Sequence, residues 1–345
     1  MSVTNVSPMT KVAVIGAGSW GTAVASIAAQ NAPTWLWARS PELAHDIDVD
    51  HRNTRYLPDV ELPQTLRATS SLEEAVGDAE VIVMGVPSHG FREVLAEAAA
   101  FVTPGVPVIS LTKGVEQQSL KRMTEVISEL LPSCAAGVLT GPNLAKEILA
   151  GYPAASVVAL ADEGVCTDLQ RLFSTDVLRV YTNPDVVGCE VAGALKNVMA
   201  IASGMADGMG FGDNTRAALI TRGLAELTRL GVALGGQPLT FSGLAGMGDL
   251  VATCISRQSR NRHVGEELGR GRTIDEITTE MNMVAEGVKT SRAVVDLART
   301  HGIEMPIAEQ VVAVLYEGKR ASDVISSLMR RQSKAELHGI AESGP

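Results

Sequence analysis

The chain has 345 residues, of which 46% are hydrophobic and 20% charged, and its formal net charge is −10. This length and composition predict one or two globular domains and exclude a disordered chain. The negative charge, without any Lys/Arg-rich run, disfavours nucleic acid or an anionic membrane as a partner.

The four cysteines are far apart and form neither a CxxC pair nor a zinc-type cluster with histidine. We expect reduced, buried thiols, which favour a cytoplasmic location. The six histidines are scattered, so no metal site is predicted. The uncharged stretch 12–38 contains three glycines and changes from β-branched to small residues. This pattern predicts a strand, a turn and a helix rather than a secretory signal or a stable membrane anchor.

From residue 11 to about 182, short apolar runs alternate with helical stretches, which predicts a mostly parallel sheet between helices. Eight strands are predicted, at residues 11–16, 34–38, 66–69, 80–86, 107–111, 137–140, 155–160 and 178–181. The fourth and fifth runs are the most continuously apolar, as expected of strands covered on both faces.

After residue 185 the pattern changes to helices. Those predicted cover residues 186–205, 215–230, 249–269, 273–281, 287–301 and 308–317. Thr273 and Glu276 have the spacing of a capping box, and Ser322 with Asp323 is expected to begin a last short helix. The second half of the chain is therefore predicted to be all-α.

The segment Gly16-Ala-Gly18-Ser-Trp-Gly21 follows the first predicted strand directly and begins a helix. In this context G-x-G-x-x-G is typical of dinucleotide binding. Gly16 permits the tight turn, Gly18 lets the backbone approach a pyrophosphate, and Gly21 lets helix and strand pack closely. The helix N-terminus favours phosphate binding through its free N–H groups. The alternative is a glycine turn without a ligand.

The end of the second strand is where an Asp or Glu binds the ribose 2′-hydroxyl of NAD. Arg39 stands there instead, and a guanidinium pairs well with a 2′-phosphate. NADP(H) is therefore favoured over NAD(H), the alternative being that Arg39 is only a solvated residue at a strand end. Glu42 lies inside the next predicted helix, too far along to bind the ribose.

Two lysines stand in unusual surroundings. Lys196 lies in a predicted helix of apolar and small residues, where burial disfavours the charged form and suits the group to proton transfer. The alternative is a lysine whose methylene stem reaches water. Lys113 follows the fifth strand, at the sheet edge where open α/β folds bind ligands. It could polarise a carbonyl or neutralise a phosphate there, or be an ordinary exposed loop lysine.

Asp249 ends a glycine-rich turn and is expected either to cap a helix or to orient the ammonium of a lysine. Ser259, Arg260 and Asn261 follow on the same helix or just after it. They are expected to hold a substrate phosphate, because a guanidinium suits bidentate contacts with oxyanions.

Nine ordered motifs together resemble one family, the bacterial NAD(P)-dependent glycerol-3-phosphate dehydrogenases. They lie at residues 14–23, 53–58 with 62–63, 86–94, 113–114, 141–147, 190–197, 246–253, 259–262 and 284–290. The resemblance implies an α/β fold, with a Rossmann-like NAD(P)-binding domain over residues 1–188 and a helical substrate and catalytic domain over residues 189–345.

The implied reaction is the reversible, NAD(P)H-dependent reduction of dihydroxyacetone phosphate to sn-glycerol 3-phosphate for glycerophospholipid synthesis. The resemblance also implies a cytoplasmic homodimer. Two alternatives stay open: a related dehydrogenase acting on a 3-hydroxy acid or ketopantoate, with Lys196 in the same role, and a cofactor-binding sensor without turnover.

By the same resemblance, Lys196 is the general acid/base, Lys113 positions and polarises the carbonyl, and Asp249 and Thr253 support both lysines. The implied substrate-binding residues are Lys113, Gly141, Asn143, Lys196, Asp249, Ser259, Arg260 and Asn261. The implied cofactor-binding residues are Gly16, Gly18, Ser19, Trp20, Gly21, Arg39, Tyr56, Lys113, Ala145, Arg260, Val284 and Glu286. Many members have Ser where this chain has Asn143, whose carboxamide is expected to replace the hydroxyl as a hydrogen-bonding group.

Overall fold

A computed structural model describes residues 11–281, 285–332 and 336. The described chain divides into two compact units. The first unit contains residues 11–112, 123–139 and 143–184, and the second contains 113–122, 140–142 and the residues from 185 onward. The division at 184/185 lies close to the expected boundary between 188 and 189. The segments 113–122 and 140–142, which the sequence placed in the first domain, belong to the second unit.

The first unit carries the strands. They are β1 (Val12–Ile15), β2 (Thr34–Trp37), β3 (Arg52–Asn53), β4 (Leu57–Glu61), β5 (Leu66–Thr69), β6 (Val81–Met84), β7 (Val108–Ser110), β8 (Ala136–Thr140), β9 (Ala154–Ala159) and β10 (Leu178–Asn183). Its helices are α1 (Ser19–Ala28), α2 (Pro41–Val49), α3 (Leu72–Val76), α4 (Ser88–Ala98), α5 (Met123–Leu130), α6 (Ala145–Leu149) and α7 (Glu163–Phe173), with a 3₁₀ turn at Ala99–Phe101.

Eight strands form one sheet in the order β10-β9-β8-β7-β6-β1-β2-β5. The pairs β10–β9, β8–β7, β7–β6, β6–β1, β1–β2 and β2–β5 are all parallel. The eight predicted strands and the mostly parallel sheet are therefore confirmed. The run from β5 to β8 has the doubly wound order 3-2-1-4-5-6, in which ligands bind where the strand order reverses, here between β1 and β6.

Because successive side chains along a strand point to opposite faces of the sheet, the core of the first unit is divided between these two faces. Val12 and Val14 of β1 pack in one buried cluster with Val24 of α1. Ala13 and Ile15 pack in another cluster, on the opposite face. Both faces of the central strands are therefore covered, which explains why β1, β6 and β7 read as continuous apolar runs.

From Asp185 onward, every element in the described residues is helical. The helices are α8 (Val186–Gly208), α9 (Asp213–Ala233), α10 (Pro238–Phe241), α11 (Asp249–Ile255), α12 (Arg260–Gly269), α13 (Ile274–Glu280), α14 (Glu286–Thr300), α15 (Pro306–Tyr316) and α16 (Ala321–Met329), with a π-helical turn at Leu244–Gly248 before α11. Helix α8 is long and apolar enough to cross a membrane, but 89% of its apolar stretch is buried in the protein. It is the central core helix of the second unit.

Two predicted helix boundaries are wrong and one predicted helix start is confirmed. The helix predicted over 249–269 is wrong in its continuity, because the chain is extended at Ser256 and Ser259 starts α12 by accepting a hydrogen bond from Arg262 N at 3.2 Å. The last helix begins at Ala321 with Arg320 at its N-cap, so the start predicted at Ser322 is also wrong. The capping box of Thr273 and Glu276 is confirmed.

Helices α8 and α12 approach each other through glycines. A Cβ at Gly204 would lie 2.0 Å from Arg262 O, and one at Gly208 would lie 2.0 Å from Glu266 O. From the other side, a Cβ at Gly265 would lie 2.0 Å from Ile201 O. The two backbones are therefore in direct contact, which fixes α12 against the C-terminal part of α8.

Candidate active site

The glycine turn of the first unit has the geometry that dinucleotide binding requires. Gly16 has φ +116°, and a Cβ there would lie 2.8 Å from the backbone of Gly85, the residue after β6. A Cβ at Gly21 would lie 2.0 Å from Gly16 O, so no other residue fits. At Gly18 no atom lies within 4 Å of the Cβ position. The turn is thus closed toward the sheet and open at Gly18, where a pyrophosphate would approach.

The N-terminus of α1 is suited to binding an anion. Its N-cap, Gly18, has no side chain to bind the free N–H groups, and the first turn carries no acidic residue. Trp20 Nε1 is buried and has no hydrogen-bond partner among the described residues. Uncapped N–H groups and an unsatisfied indole N–H fit a phosphate-bearing cofactor.

Asn53, which sequence reasoning missed, ties this turn to the β3–β4 hairpin. Its Nδ2 donates to Ala17 O at 2.9 Å and to Thr22 Oγ1 at 2.8 Å, and its Oδ1 accepts from Tyr56 N at 3.0 Å. Ser19 Oγ donates to Tyr56 O at 3.3 Å. Two predicted cofactor residues, Ser19 and Tyr56, are therefore brought together. The one sequence signal for Asn53 was its place in the motif at 53–58, which carries part of the family resemblance.

The other predicted cofactor residues of the first unit lie as follows. Ala145 begins α6, which packs against α1. Arg39 is exposed directly after β2 and has no ion-pair partner among the described residues. Glu42 lies in α2 and accepts from Ser40 Oγ at 2.5 Å, which lowers the pKa of its carboxyl. The Glu42 carboxylate is thus hydrogen-bonded to Ser40, the N-cap residue of its own helix.

The second unit contains the two lysines, joined by one carboxylate. Lys196 Nζ donates to Asp249 Oδ1 at 2.6 Å and also to Thr253 Oγ1. Lys113 Nζ donates to Asp249 Oδ2 at 2.6 Å and to Gly141 O at 2.9 Å. The side chains of Lys196, Asp249 and Lys113 are 7%, 2% and 17% exposed. The readings of Lys196 as reaching water and of Lys113 as an exposed loop lysine are therefore wrong.

Asp249 is placed by the turn before it. It is the first residue of α11, directly after the π-helical turn, and Gly248 occupies the N-cap. Its carboxylate does not cap the helix, so that alternative is wrong. Instead, one oxygen binds each lysine, and Thr253, one turn further along α11, donates to Oδ1 at 3.4 Å.

A single buried carboxylate cannot neutralise two ammonium groups. Burial lowers the pKa of Lys113 to about 8; Asp249 opposes this shift in part and Lys196 adds to it. The sequence did not indicate this property for Lys113, because the burial of this lysine depends on tertiary contacts. The cluster can therefore stabilise an oxyanion and exchange a proton near neutral pH.

Asn197, a second residue that sequence reasoning missed, connects the lysines to α12. Its Nδ2 donates to Lys113 O at 3.1 Å, and its Oδ1 accepts from Asn261 Nδ2 at 2.9 Å. Asn261 Oδ1 in turn accepts from Gly287 N at 2.9 Å. The Asn261 amide is thus oriented by hydrogen bonds at both ends, with one of the two N–H groups of Nδ2 in use, and its predicted contact with the substrate stays a prediction.

The remaining predicted residues are distributed over both units. Ser259 is buried and uses its hydroxyl as the N-cap of α12, and Arg260 is exposed as the first residue of that helix. Glu286 begins α14, and Val284 lies outside the described residues. In the first unit, Asn143 Oδ1 accepts from Ser156 Oγ at 2.5 Å, while Asn143 Nδ2 is buried and has no hydrogen-bond partner in the part of the chain that the structure describes.

A doubly wound dinucleotide-binding unit, combined with a helical unit that buries a lysine on a carboxylate, defines a nicotinamide-dependent oxidoreductase. The profile of the NAD-dependent glycerol-3-phosphate dehydrogenase N-terminus matches residues 11–166, and that of the C-terminus matches residues 185–326. The chain belongs to the NAD-dependent glycerol-3-phosphate dehydrogenase family.

Individual relatives agree over almost the full length. A protein of Sphingopyxis alaskensis named glycerol-3-phosphate dehydrogenase (NAD(P)+) 2 is 58% identical over 95% of this chain and 98% of its own. One of Mycobacterium avium, named glycerol-3-phosphate dehydrogenase (NAD(P)+), is 54% identical over 95% of this chain and 97% of its own. The crystal structure of glycerol-3-phosphate dehydrogenase from Coxiella burnetii has a TM-score of 0.89 and 36% identity, covering 94% of this chain and 99% of that one.

Proposed function

We propose that the chain catalyses the reversible reduction of dihydroxyacetone phosphate to sn-glycerol 3-phosphate with NAD(P)H. The observation that carries the proposal is the bonding of Lys113 and Lys196 to the two oxygens of Asp249, in a chain that belongs to this family over most of its length. Membership of the family favours this reaction over the 3-hydroxy acid and ketopantoate alternative.

The first unit supplies the residues that would hold the cofactor. Gly16, Gly18 and Gly21 shape the turn for the pyrophosphate, with Ser19 and Trp20 at the start of α1 and Arg39 for a 2′-phosphate. When bound, the nicotinamide supplies the hydride that reduces the carbonyl carbon. NADP(H) is the preferred form because Arg39 is exposed and no carboxylate stands in its place.

Lys196 is proposed as the general acid/base. As the substrate carbonyl is reduced, its oxygen gains negative charge, and an ammonium donates the proton that makes the alcohol. Asp249 and Thr253 hold the Lys196 nitrogen in one place, since both accept from it. In the reverse direction the neutral amine of Lys196 accepts the proton of the alcohol.

Lys113 is proposed to contact the carbonyl oxygen of the substrate, and the start of α12 is proposed to bind its phosphate. The Lys113 ammonium polarises the carbonyl or offsets the developing charge on oxygen. The phosphate is assigned to the start of α12, where Arg260 is exposed as the first residue of the helix and its guanidinium suits contacts with an oxyanion. Asn143 and Gly141 complete the proposed substrate set.

The reaction is tested by following NADPH absorbance with dihydroxyacetone phosphate, with ketopantoate and with a 3-keto acid. We expect rapid oxidation with the keto-phosphate alone. Turnover on the non-phosphorylated acids would favour the alternative dehydrogenase. Binding of NADPH without oxidation by any of these substrates would favour a sensor.

Three further properties are part of the proposal. A cytoplasmic location is supported by four cysteines that are all buried and unpaired, and the substrate, a small soluble metabolite, requires no stable membrane association. A homodimer is expected from the family resemblance, and light scattering after gel filtration measures it. The division of labour between a cofactor-binding domain (1–188) and a substrate domain (189–345) is tested by whether Asn261 variants alter substrate affinity without altering cofactor affinity.

A further inference from the structure

Lys113 is the first residue of a segment, 113–122, that belongs to the second unit. The segment doubles back on itself: Val115 and Arg122 form an antiparallel bridge, and Glu116 N donates to Lys121 O at 2.9 Å. Its tip is fixed by Gln117 Nε2, which donates to Lys289 O at 2.8 Å. A folded segment of this kind transmits a displacement of one end to the other.

One face of α8 carries the whole segment. Asn197 binds Lys113 O, Ala194 packs with Val115 in a buried cluster, and Glu190 pairs with Arg122. Residues 190, 194 and 197 recur at the helical spacing of four and three, so they lie on one side of the helix. Helix α8 therefore both contains Lys196 and contacts the segment that begins with Lys113.

The Lys113 side chain packs closely against the backbone of α8. A Cβ at Gly193 of α8 would lie 3.5 Å from Lys113 Cγ and 3.0 Å from Thr140 Oγ1. The lysine stem thus lies directly on the helix backbone, and its nitrogen reaches Asp249 at 2.6 Å. A shift of the segment along or away from α8 would move this nitrogen off the carboxylate.

The far end of the segment is held by a buried charge pair. Arg122 Nη1 donates to Glu190 Oε2 at 2.9 Å, with side-chain exposures of 17% for Arg122 and 1% for Glu190. Removing one partner breaks this link between the end of the segment and α8 in a desolvated environment, where the loss costs more than that of a surface ion pair.

We propose that the Arg122–Glu190 ion pair positions Lys113 for the reaction by locking segment 113–122 onto α8. The inference rests on the proposed function, because that function assigns Lys113 a role in the reaction. The pair lies at the opposite end of the segment from Lys113, so Arg122 and Glu190 act through the segment and are positioning residues.

The test compares Glu190→Gln, Arg122→Met and the double variant with wild type, well below each protein's melting temperature. We expect kcat to fall about 10- to 100-fold in each single variant, since small displacements of a reacting group cost this much. KM for NADPH should stay within about twofold, because the glycine turn is untouched. The double variant should be no slower than Arg122→Met, and Arg122→Lys should recover part of the rate, because both residues act in one interaction.

Glu226→Gln is the matched control. Glu226 is another buried carboxylate of the second unit, 2% exposed, and it binds the start of α15 rather than segment 113–122. We expect it to change the melting temperature and leave kcat unchanged. If Glu190→Gln also changed only the melting temperature, the pair would be merely structural and the proposal would be overturned.

A second readout needs no substrate. Competitive labelling with acetic anhydride, mapped by mass spectrometry, measures the pKa of Lys113 directly in the intact protein. A loosened segment admits water, so this pKa should rise from about 8 toward its ordinary value in Glu190→Gln and stay unchanged in Glu226→Gln. An unchanged Lys113 pKa in Glu190→Gln would overturn the proposal. Failure of wild type to oxidise NADPH with the keto-phosphate would instead overturn the proposed function, and the labelling result would still stand.

Discussion

Lys196 donates to Asp249 through a 2.6 Å contact between Nζ and Oδ1, across two helices that are far apart in sequence. The other oxygen of this carboxylate is occupied by Lys113. The pKa of Lys113 therefore reflects both neighbours, since Asp249 favours its charged form and Lys196 disfavours it.

Activity in the direction of reduction should decline as the pH rises through about 8. Burial lowers the pKa of Lys113 to about 8, so its ammonium is present below that pH and lost above it. The measurement is kcat/KM for the keto-phosphate between pH 6 and 10, which reports groups of the free enzyme. Lys113→Arg keeps its charge over this range, so its profile should lack the limb near 8. A limb that persisted in Lys113→Arg would assign it to another group.

Arg39 should decide between the two nicotinamide cofactors. Arg39→Gln removes a charged partner for the 2′-phosphate, and we expect KM for NADPH to rise about 10-fold with little change for NADH. Arg67→Gln is the control, since Arg67 is an exposed arginine of the same unit that pairs with Asp48. Equal effects of Arg39→Gln on both cofactors would contradict recognition of the 2′-phosphate.

The glycine contact between α8 and α12 should be intolerant of a single methyl group. Gly265→Ala places its Cβ 2.0 Å from Ile201 O, and we expect a loss of about 1–3 kcal/mol in the free energy of unfolding. Because α12 carries Arg260, KM for the keto-phosphate should also rise. Gly90→Ala, inside α4, places its Cβ at an ordinary contact distance of 3.7 Å from Val86 Cγ1 and should not lose stability. Urea unfolding of both variants checks the first expectation, and equal stability would contradict the close contact.

Glu226 should make the second unit less stable as the pH rises. Burial raises the pKa of its carboxyl to about 7, although Ile307 N and Ala308 N donate to it. The folded state then holds a proton that the unfolded state, with an ordinary carboxyl pKa near 4.5, has already released. This contribution is complete below about pH 4.5 and is lost by about pH 7. The melting temperature of wild type should therefore fall relative to Glu226→Gln between pH 5 and 7.5, and parallel curves would contradict the shift.

Much of the fold could be predicted because its signals are local. The eight sheet strands are β-branched runs flanked by helices, and the glycine motif fixes the β1–α1 turn by sterics alone. The hairpin of β3 and β4 was missed because Leu57–Glu61 mixes buried and exposed positions without clear alternation. The split between α11 and α12 was missed because Ser256 and Ser259 interrupt a helical pattern that otherwise continues.

The candidate site was predictable in its residue types and less so in its connections. Lys196 stood out because it is a charge in an apolar helix, and Asp249 because it follows three glycines in a short run. Asn53 and Asn197 did not stand out, since a single amide carries no periodicity and its partners are distant in sequence. That Lys113 belongs to the second unit follows from tertiary contacts alone, which no local pattern records.

The most direct test of the central claim is the turnover number of Lys196→Met with dihydroxyacetone phosphate and NADPH at saturation. The substitution keeps the length of the side chain and removes the proton donor, so we expect kcat to fall by about 10²- to 10⁴-fold. Lys319→Met, which removes a lysine that bonds only Gln310 and Ser327 in the described structure, should keep wild-type turnover. If Lys196→Met turned over at a near wild-type rate, the proton would have to come from another group, and the assignment of Lys196 would be wrong.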